Sequence, residues 1–81
     1  MKKRIPFSLT LPKGGRYVTR DGRYATSWHY FQDAIEHPFV AIINRRPYMF
    51  TAEGKFTGMG YYSVHDLLIE ISEEKTEIFV K

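Results

Sequence analysis

One phrase is written twice in this 81-residue chain. Thr19-Arg20-Asp21-Gly22-Arg23-Tyr24 and Thr51-Ala52-Glu53-Gly54-Lys55-Phe56 both read Thr, a variable residue, an acid, Gly, a base and an aromatic. Thr51 follows Thr19 by 32 residues, and Tyr62 follows Tyr30 by the same interval. Asp-Gly between β-forming residues is a strong hairpin signal, because both central residues of a type I′ turn need positive φ. Glu tolerates that conformation less well than Asp, so Glu53-Gly54 is the weaker turn. The Thr beside each turn has high β-propensity and suits cross-strand pairing. The phrase therefore predicts a pseudo-duplicated β-scaffold.

The rest of the chain punctuates in the same way. Phe7-Ser8-Leu9-Thr10-Leu11 alternates with strand periodicity between Pro6 and Pro12, which predicts a short edge strand. Residues 16–20 and 23–32 are the arms of the first hairpin. Along the second arm Tyr24, Thr26, Trp28 and Tyr30 share one face by alternation, with Arg23, Ala25, Ser27, His29 and Phe31 on the other. Phe39-Val40-Ala41-Ile42-Ile43 reads as a central strand buried on both faces. Asn44-Arg45-Arg46-Pro47 turns the chain, and Tyr48-Met49-Phe50-Thr51 returns. Gly58-Met59-Gly60 allows a bulge or bend. Ser63-Val64-His65-Asp66 resembles a capping box. It leads either into a strand through Ile69-Glu70-Ile71 or into a helix over 64–75, and the strand is preferred; a last strand is expected at Glu77-Ile78-Phe79-Val80. The expectation is a mainly β fold, a small antiparallel meander of six to seven strands with at most one short helix. It forms a twisted sheet or an incomplete barrel, whose open edges need covering by charge or by another subunit. A single domain spans 1–81, with its core in 16–80 and a basic arm in 1–15.

The charge is polarised. Residues 1–23 carry seven Lys/Arg against Asp21, whereas residues 47–81 carry three Lys against six Asp/Glu. A basic end attracts anions or a phosphate backbone. With no cysteine, neither a disulfide nor a thiolate-bound zinc supports the core. A chain of this size buries only about 60% of its unfolded surface, so oligomerisation is a natural supplement. No run of about 18 apolar residues is present, so no membrane span is expected. The absence of cysteine fits a reducing cytoplasm.

Catalytic patterns are thin. His29, His37 and His65 have no metal-ligand spacing, and neither a P-loop nor a complete dinucleotide fingerprint occurs. Ser63, His65 and Asp66 are the right types for a triad but lie together in sequence, where turn capping explains them. The expectation is a protein that is not an enzyme and uses neither cofactor nor metal. Arginine interleaved with aromatics is the remaining binding signal. Guanidinium matches phosphate oxygens and aromatic faces stack bases. The candidate ligand residues are Arg16, Arg20, Arg23, Tyr24, Trp28, Tyr30, Arg45, Arg46 and Tyr48. Exposure of Trp28 near Arg23 or Arg45 would favour a ligand site over a core role.

Residues 16–68 also carry four ordered elements: Val18-Thr19-Arg20-Asp21-Gly22-Arg23, Pro38-Phe39-Val40-Ala41, Phe50-Thr51-Ala52-Glu53-Gly54-Lys55 and Ser63-Val64-His65-Asp66-Leu67-Leu68. Together they resemble a family of small phage and prophage accessory proteins. Glu53 and Lys55 depart from the Asp and Arg usual there, the N-terminal segment lacks that group's short helix, and residues 69–81 extend beyond its usual end. The resemblance implies phage origin, host-cell cytoplasm and a compact β-rich binding module. The first functional expectation is a homo-oligomeric sponge for a nucleotide-like anionic defence signal. The second is a protein–protein inhibitor of a host or defence enzyme, and the third is a nucleic-acid-binding accessory protein.

Overall fold

A computed structural model describes residues 2–56 and 63–72. Six strands form two antiparallel three-stranded sheets: β1 (Lys2–Ile5), β2 (Arg16–Thr19), β3 (Ala25–Tyr30), β4 (Phe39–Ile43), β5 (Arg46–Phe50) and β6 (Leu67–Ser72). The all-β, antiparallel expectation holds, and the described residues include no helix. One sheet runs β1-β6-β2 and the other β3-β4-β5. The last of the described strands thus sits between the first two, which a simple meander would not allow. Of the segment 64–75, the described part takes the strand route, with β6 at Leu67–Ser72. Tyr62, the bend at Gly58-Met59-Gly60 and the strand at Glu77-Ile78-Phe79-Val80 lie outside the described residues.

The core forms where the inner faces of the two sheets meet. Tyr17, Leu67 and Ile69 from one sheet pack with Phe39, Ala41, Ile43 and Phe50 from the other. Tyr17 and Phe39 meet edge to face with ring centroids 5.2 Å apart. Buried Tyr17 donates its hydroxyl to the Ser8 carbonyl at 2.7 Å, and burial pushes its phenol pKa up. The basic arm of 1–15 is part of this architecture, since Lys2–Ile5 pairs with β6 and Ile5, Phe7 and Leu11 pack on the core.

Three local expectations change. The alternating run 7–11 is not a strand. Thr10 N–H bonds the Ser8 hydroxyl at 3.2 Å, a local turn that competes with ladder pairing. The strand falls instead on Lys2–Ile5, where Lys2 and Arg4 approach Glu70 of β6 and tertiary context overrides propensity. Strand β4 is buried on one face only: Phe39, Ala41 and Ile43 are buried, Val40 and Ile42 half-buried. A register shift between Ala25 and Ser27 marks a bulge in β3. It puts Ala25 on the same face as Trp28, opposite Ile43 and Ala41 respectively, so simple alternation misassigns that strand.

The turns also differ from the type I′ reading. Thr19 N–H bonds the Arg23 carbonyl at 2.8 Å and Gly22 N–H the Thr19 carbonyl at 3.0 Å. The loop is therefore three residues, Arg20-Asp21-Gly22, with positive φ at Gly22 (93°) and not at Asp21. That is a type I turn closed by a left-handed glycine. The second copy repeats it: Thr51 N–H to the Lys55 carbonyl at 2.9 Å, Gly54 N–H to the Thr51 carbonyl at 2.9 Å, and φ of 80° at Gly54. The two-residue type I′ turn lies elsewhere, between β4 and β5, where Asn44 (φ 54°) and Arg45 (φ 68°) are both left-handed.

Candidate functional site

The repeated phrase builds the site's frame. In each turn the Thr hydroxyl accepts the N–H of the basic residue, Arg23 at 2.9 Å and Lys55 at 3.1 Å. The hydroxyl is thus the reason for Thr in the phrase, beyond its β-propensity. Thr19 donates in turn to Asp21, whose carboxylate also takes Arg23 Nε at 2.9 Å. These hydrogen bonds from Thr19 and then Arg23 hold the Asp21 pKa below its ordinary range, and the Asp21 bond raises that of Arg23.

Asp66 joins the two turns. It is 1% exposed. Its carboxylate accepts Phe56 N–H at 2.8 Å and Ser63 N–H at 3.1 Å, and meets Arg20 Nε at 3.3 Å and Lys55 Nζ at 3.8 Å. Its backbone carbonyl accepts Arg20 N–H at 3.0 Å. Desolvation pushes its pKa up, but the backbone and cationic partners together outweigh it and the net shift is downward. Ser63, His65 and Asp66 form a turn: Asp66 N–H bonds the Ser63 carbonyl at 3.1 Å and His65 N–H the Ser63 hydroxyl at 3.1 Å. The His65 ring meets Arg23.

A groove of about 490 Å³ opens beside this frame, lined by His37, Arg46, Pro47, Tyr48, Met49 and Phe56. His65 packs against Phe56 (4.9 Å) and Tyr48 (5.3 Å), completing an aromatic wall. The Arg23 guanidinium lies 5.7 Å from the Tyr48 ring centre, and its Nη2 approaches His65 Nδ1 at 2.6 Å. Arginine can only donate, so Nδ1 accepts and the ring proton is on Nε2. Arg23 is therefore held from two sides, by Asp21 and by His65.

The nine predicted residues occupy several places. Arg23, Arg46 and Tyr48 converge on the groove. Arg20 lies behind it on Asp66. Arg45 occupies the tip of the β4–β5 hairpin. Arg16 and Tyr24 are on the outer face of the first sheet, the Arg16 guanidinium 3.8 Å above the Tyr24 ring. There Tyr24 donates to Glu70, which also faces Lys2 at 3.9 Å and Arg4 at 3.8 Å. Trp28 and Tyr30 are on β3, at 41% and 42% exposure. Trp28 is thus exposed, but its ring packs edge-on to Tyr17 at 5.0 Å, whereas the guanidinium–ring contacts among the described residues are those of Arg16 with Tyr24 and Arg23 with Tyr48. His37, Phe56 and His65 were not singled out as ligand residues. Only the position of Phe56 in the repeated phrase, equivalent to Tyr24, offered a signal for it.

Among the described residues no group of three or more His, Cys, Asp or Glu is placed to hold a metal ion. Among those residues no helix is long and apolar enough to cross a membrane. Comparison of the chain with protein-family models, curated proteins and solved structures finds no match in any of the three.

Proposed function

We propose that this protein is a non-enzymatic binding module whose groove captures a nucleotide-like anion. The observation that carries the reading is the aromatic wall of Tyr48, Phe56 and His65 with Arg23 and Arg46 beside it. A base stacks on such rings, while guanidinium donors meet phosphate oxygens. Arg23 is preorganised by Asp21 and His65, which lowers the ordering cost of binding. The groove's volume falls in the range of small-molecule sites, about 300–1,000 Å³. The resemblance to small phage accessory proteins supplies a setting: sequestration of a nucleotide defence signal in the host cytoplasm.

Isothermal titration against cyclic dinucleotides, ADP-ribose and mononucleotides tests it, with orthophosphate and a neutral nucleoside as controls. One of the nucleotides binds more tightly than either control. Tyr48→Ala weakens it by about tenfold or more, the loss of one stacked base contact. No heat from any nucleotide at millimolar concentration ends this reading.

A second reading, a protein–protein inhibitor, draws on the outer face of the second sheet. Val40 and Ile42 are half-buried there and Met49 is 54% exposed, beside Pro47 and near exposed Phe31. Apolar exposure of this kind marks interaction surfaces. One stoichiometric partner recovered from host lysate, and lost on Phe31→Lys, a change outside the groove lining, would select it. The nucleic-acid reading is weakened by Glu70, which partly neutralises the Lys2, Arg4 and Arg16 face.

A further inference from the structure

The two sheets end in four strand edges, and the chain treats them differently. Strand β1 carries Lys2, Lys3 and Arg4, charges that discourage further pairing. Strand β5 carries Arg46 and Pro47, and Pro cannot donate to a new ladder. Strand β2 is interior, with Tyr17, Val18 and Thr19 fully buried. Strand β3 has none of these protections. Thr26, Ser27, Trp28, His29 and Tyr30 are all exposed, and they include neither Lys, Arg, Asp, Glu nor Pro.

The direction of its free groups can be derived. Phe31 N–H bonds the Pro38 carbonyl at 2.7 Å, so position 31 faces β4. Hydrogen-bonded and non-hydrogen-bonded pairs alternate in an antiparallel ladder. His29, paired with Val40, therefore bonds toward β4 as well. The N–H and C=O groups of Trp28 and Tyr30 point the other way, out of the free edge. Past the single bridge between Val18 and Tyr24, no described strand pairs with that edge.

We infer that β3 is a homodimerisation edge, on which a second copy of the chain adds its own β3 antiparallel. The regular stretch beyond the bulge is 27–31, and its centre is His29. A twofold axis at His29 sets Trp28 opposite the second copy's Tyr30, and Tyr30 opposite its Trp28. Both are hydrogen-bonded pairs made from the outward-pointing groups. Each is also an aromatic cross-strand pair, which stabilises a ladder. No like charges oppose one another, so the segment is complementary to itself in a way that β1 is not. The joined sheet has six strands, β5-β4-β3 continued by β3-β4-β5 of the second copy. This inference is independent of the ligand groove.

Sedimentation velocity of the full chain from ~1 µM to ~500 µM, a span covering weak homodimers, reads the association directly. The wild type dimerises within that range, and the Trp28 and Tyr30 amides exchange hydrogen more slowly as concentration rises. His29→Lys and His29→Glu each place like charges across the axis and weaken the dimer by about tenfold or more. His29 is exposed, with its ring against Phe31 at 4.5 Å, so both variants keep the fold. An equimolar mixture of the two variants recovers association as a heterodimer. A wild type that stays monomeric throughout overturns the inference. So does a dimer indifferent to both substitutions, or one in which the Trp28 and Tyr30 amides gain no protection.

Discussion

The two copies of the repeated turn share a backbone and differ in surroundings. Gly22 is exposed, and a Cβ built on it would meet only the tip of Arg4 at 3.7 Å. Gly54 is buried beneath Phe7, and a Cβ there would fall 2.7 Å from the Phe7 Cβ and 2.8 Å from its Cδ1, with the Phe7 Cγ nearer still. One sequence device thus does two jobs. The first copy is a surface turn that holds Arg20 on Asp66 and Arg23 between Asp21 and His65. The second is a packing element whose glycine makes room for a phenylalanine from the other end of the chain. A local motif specifies the hydrogen bonds of the turn; whether that turn faces water or core is decided by what the fold lays on top of it.

Breaking the comparison at its most asymmetric point has the largest effect. Gly54→Ala combines left-handed strain with overpacking against Phe7 and costs about 3–4 kcal/mol in urea unfolding. Adding Phe7→Ala removes the overpacking, so the double variant is more stable than additivity predicts. Asp66→Asn loosens both copies at once, because an amide nitrogen cannot accept from Ser63 N–H or pair with Arg20 and Lys55. It costs about 3 kcal/mol. The same carboxylate has a folded pKa below its unfolded value of about 3.9. Its stabilisation is complete above that value and is lost as pH falls through the folded pKa. The wild-type unfolding free energy therefore declines in that acid window more steeply than that of Asp66→Asn. Gly22→Ala pays only the conformational term, about 1 kcal/mol. The smallest effect separates glycine turns from the turn that lacks one. Arg45→Gly relieves the left-handed arginine and raises stability by about 0.5 kcal/mol, after the entropy that glycine itself loses on folding.

Much of the scaffold was legible because turns are written locally. The repeated phrase marked both three-residue loops, and the β-branched run marked β4. Ser63 and Asp66 marked the cap before β6. What could not be read was non-local. The assignment of β1 rests on Lys2 and Arg4 meeting Glu70, a pairing across most of the chain. The bulge at Thr26 changes which side chains share a face, and no residue type there announces it. The left-handed pair fell on Asn44 and Arg45 and not on Asp21 and Gly22, because loop length, not dipeptide preference alone, sets the turn type. The candidate site was partly legible for the same reason. Arg23 and Tyr48 belong to recognisable hairpin ends, while their meeting with His65 and Phe56 depends on how the Asp66 turn docks both copies.

The strand order β1-β6-β2 has a kinetic consequence. As the chain emerges, β3, β4 and β5 can pair with near neighbours, but β1 and β2 have no shared partner until residues 67–72 arrive and insert between them. The second sheet can close early, whereas the first must wait for contacts that span nearly the whole sequence. Such contacts slow folding, because the loop entropy is spent before any pairing rewards it. Insertion of β6 is then the expected slow step. It is also the moment when Asp66 reaches the two turns, so the sheet and the site frame are completed in a single step.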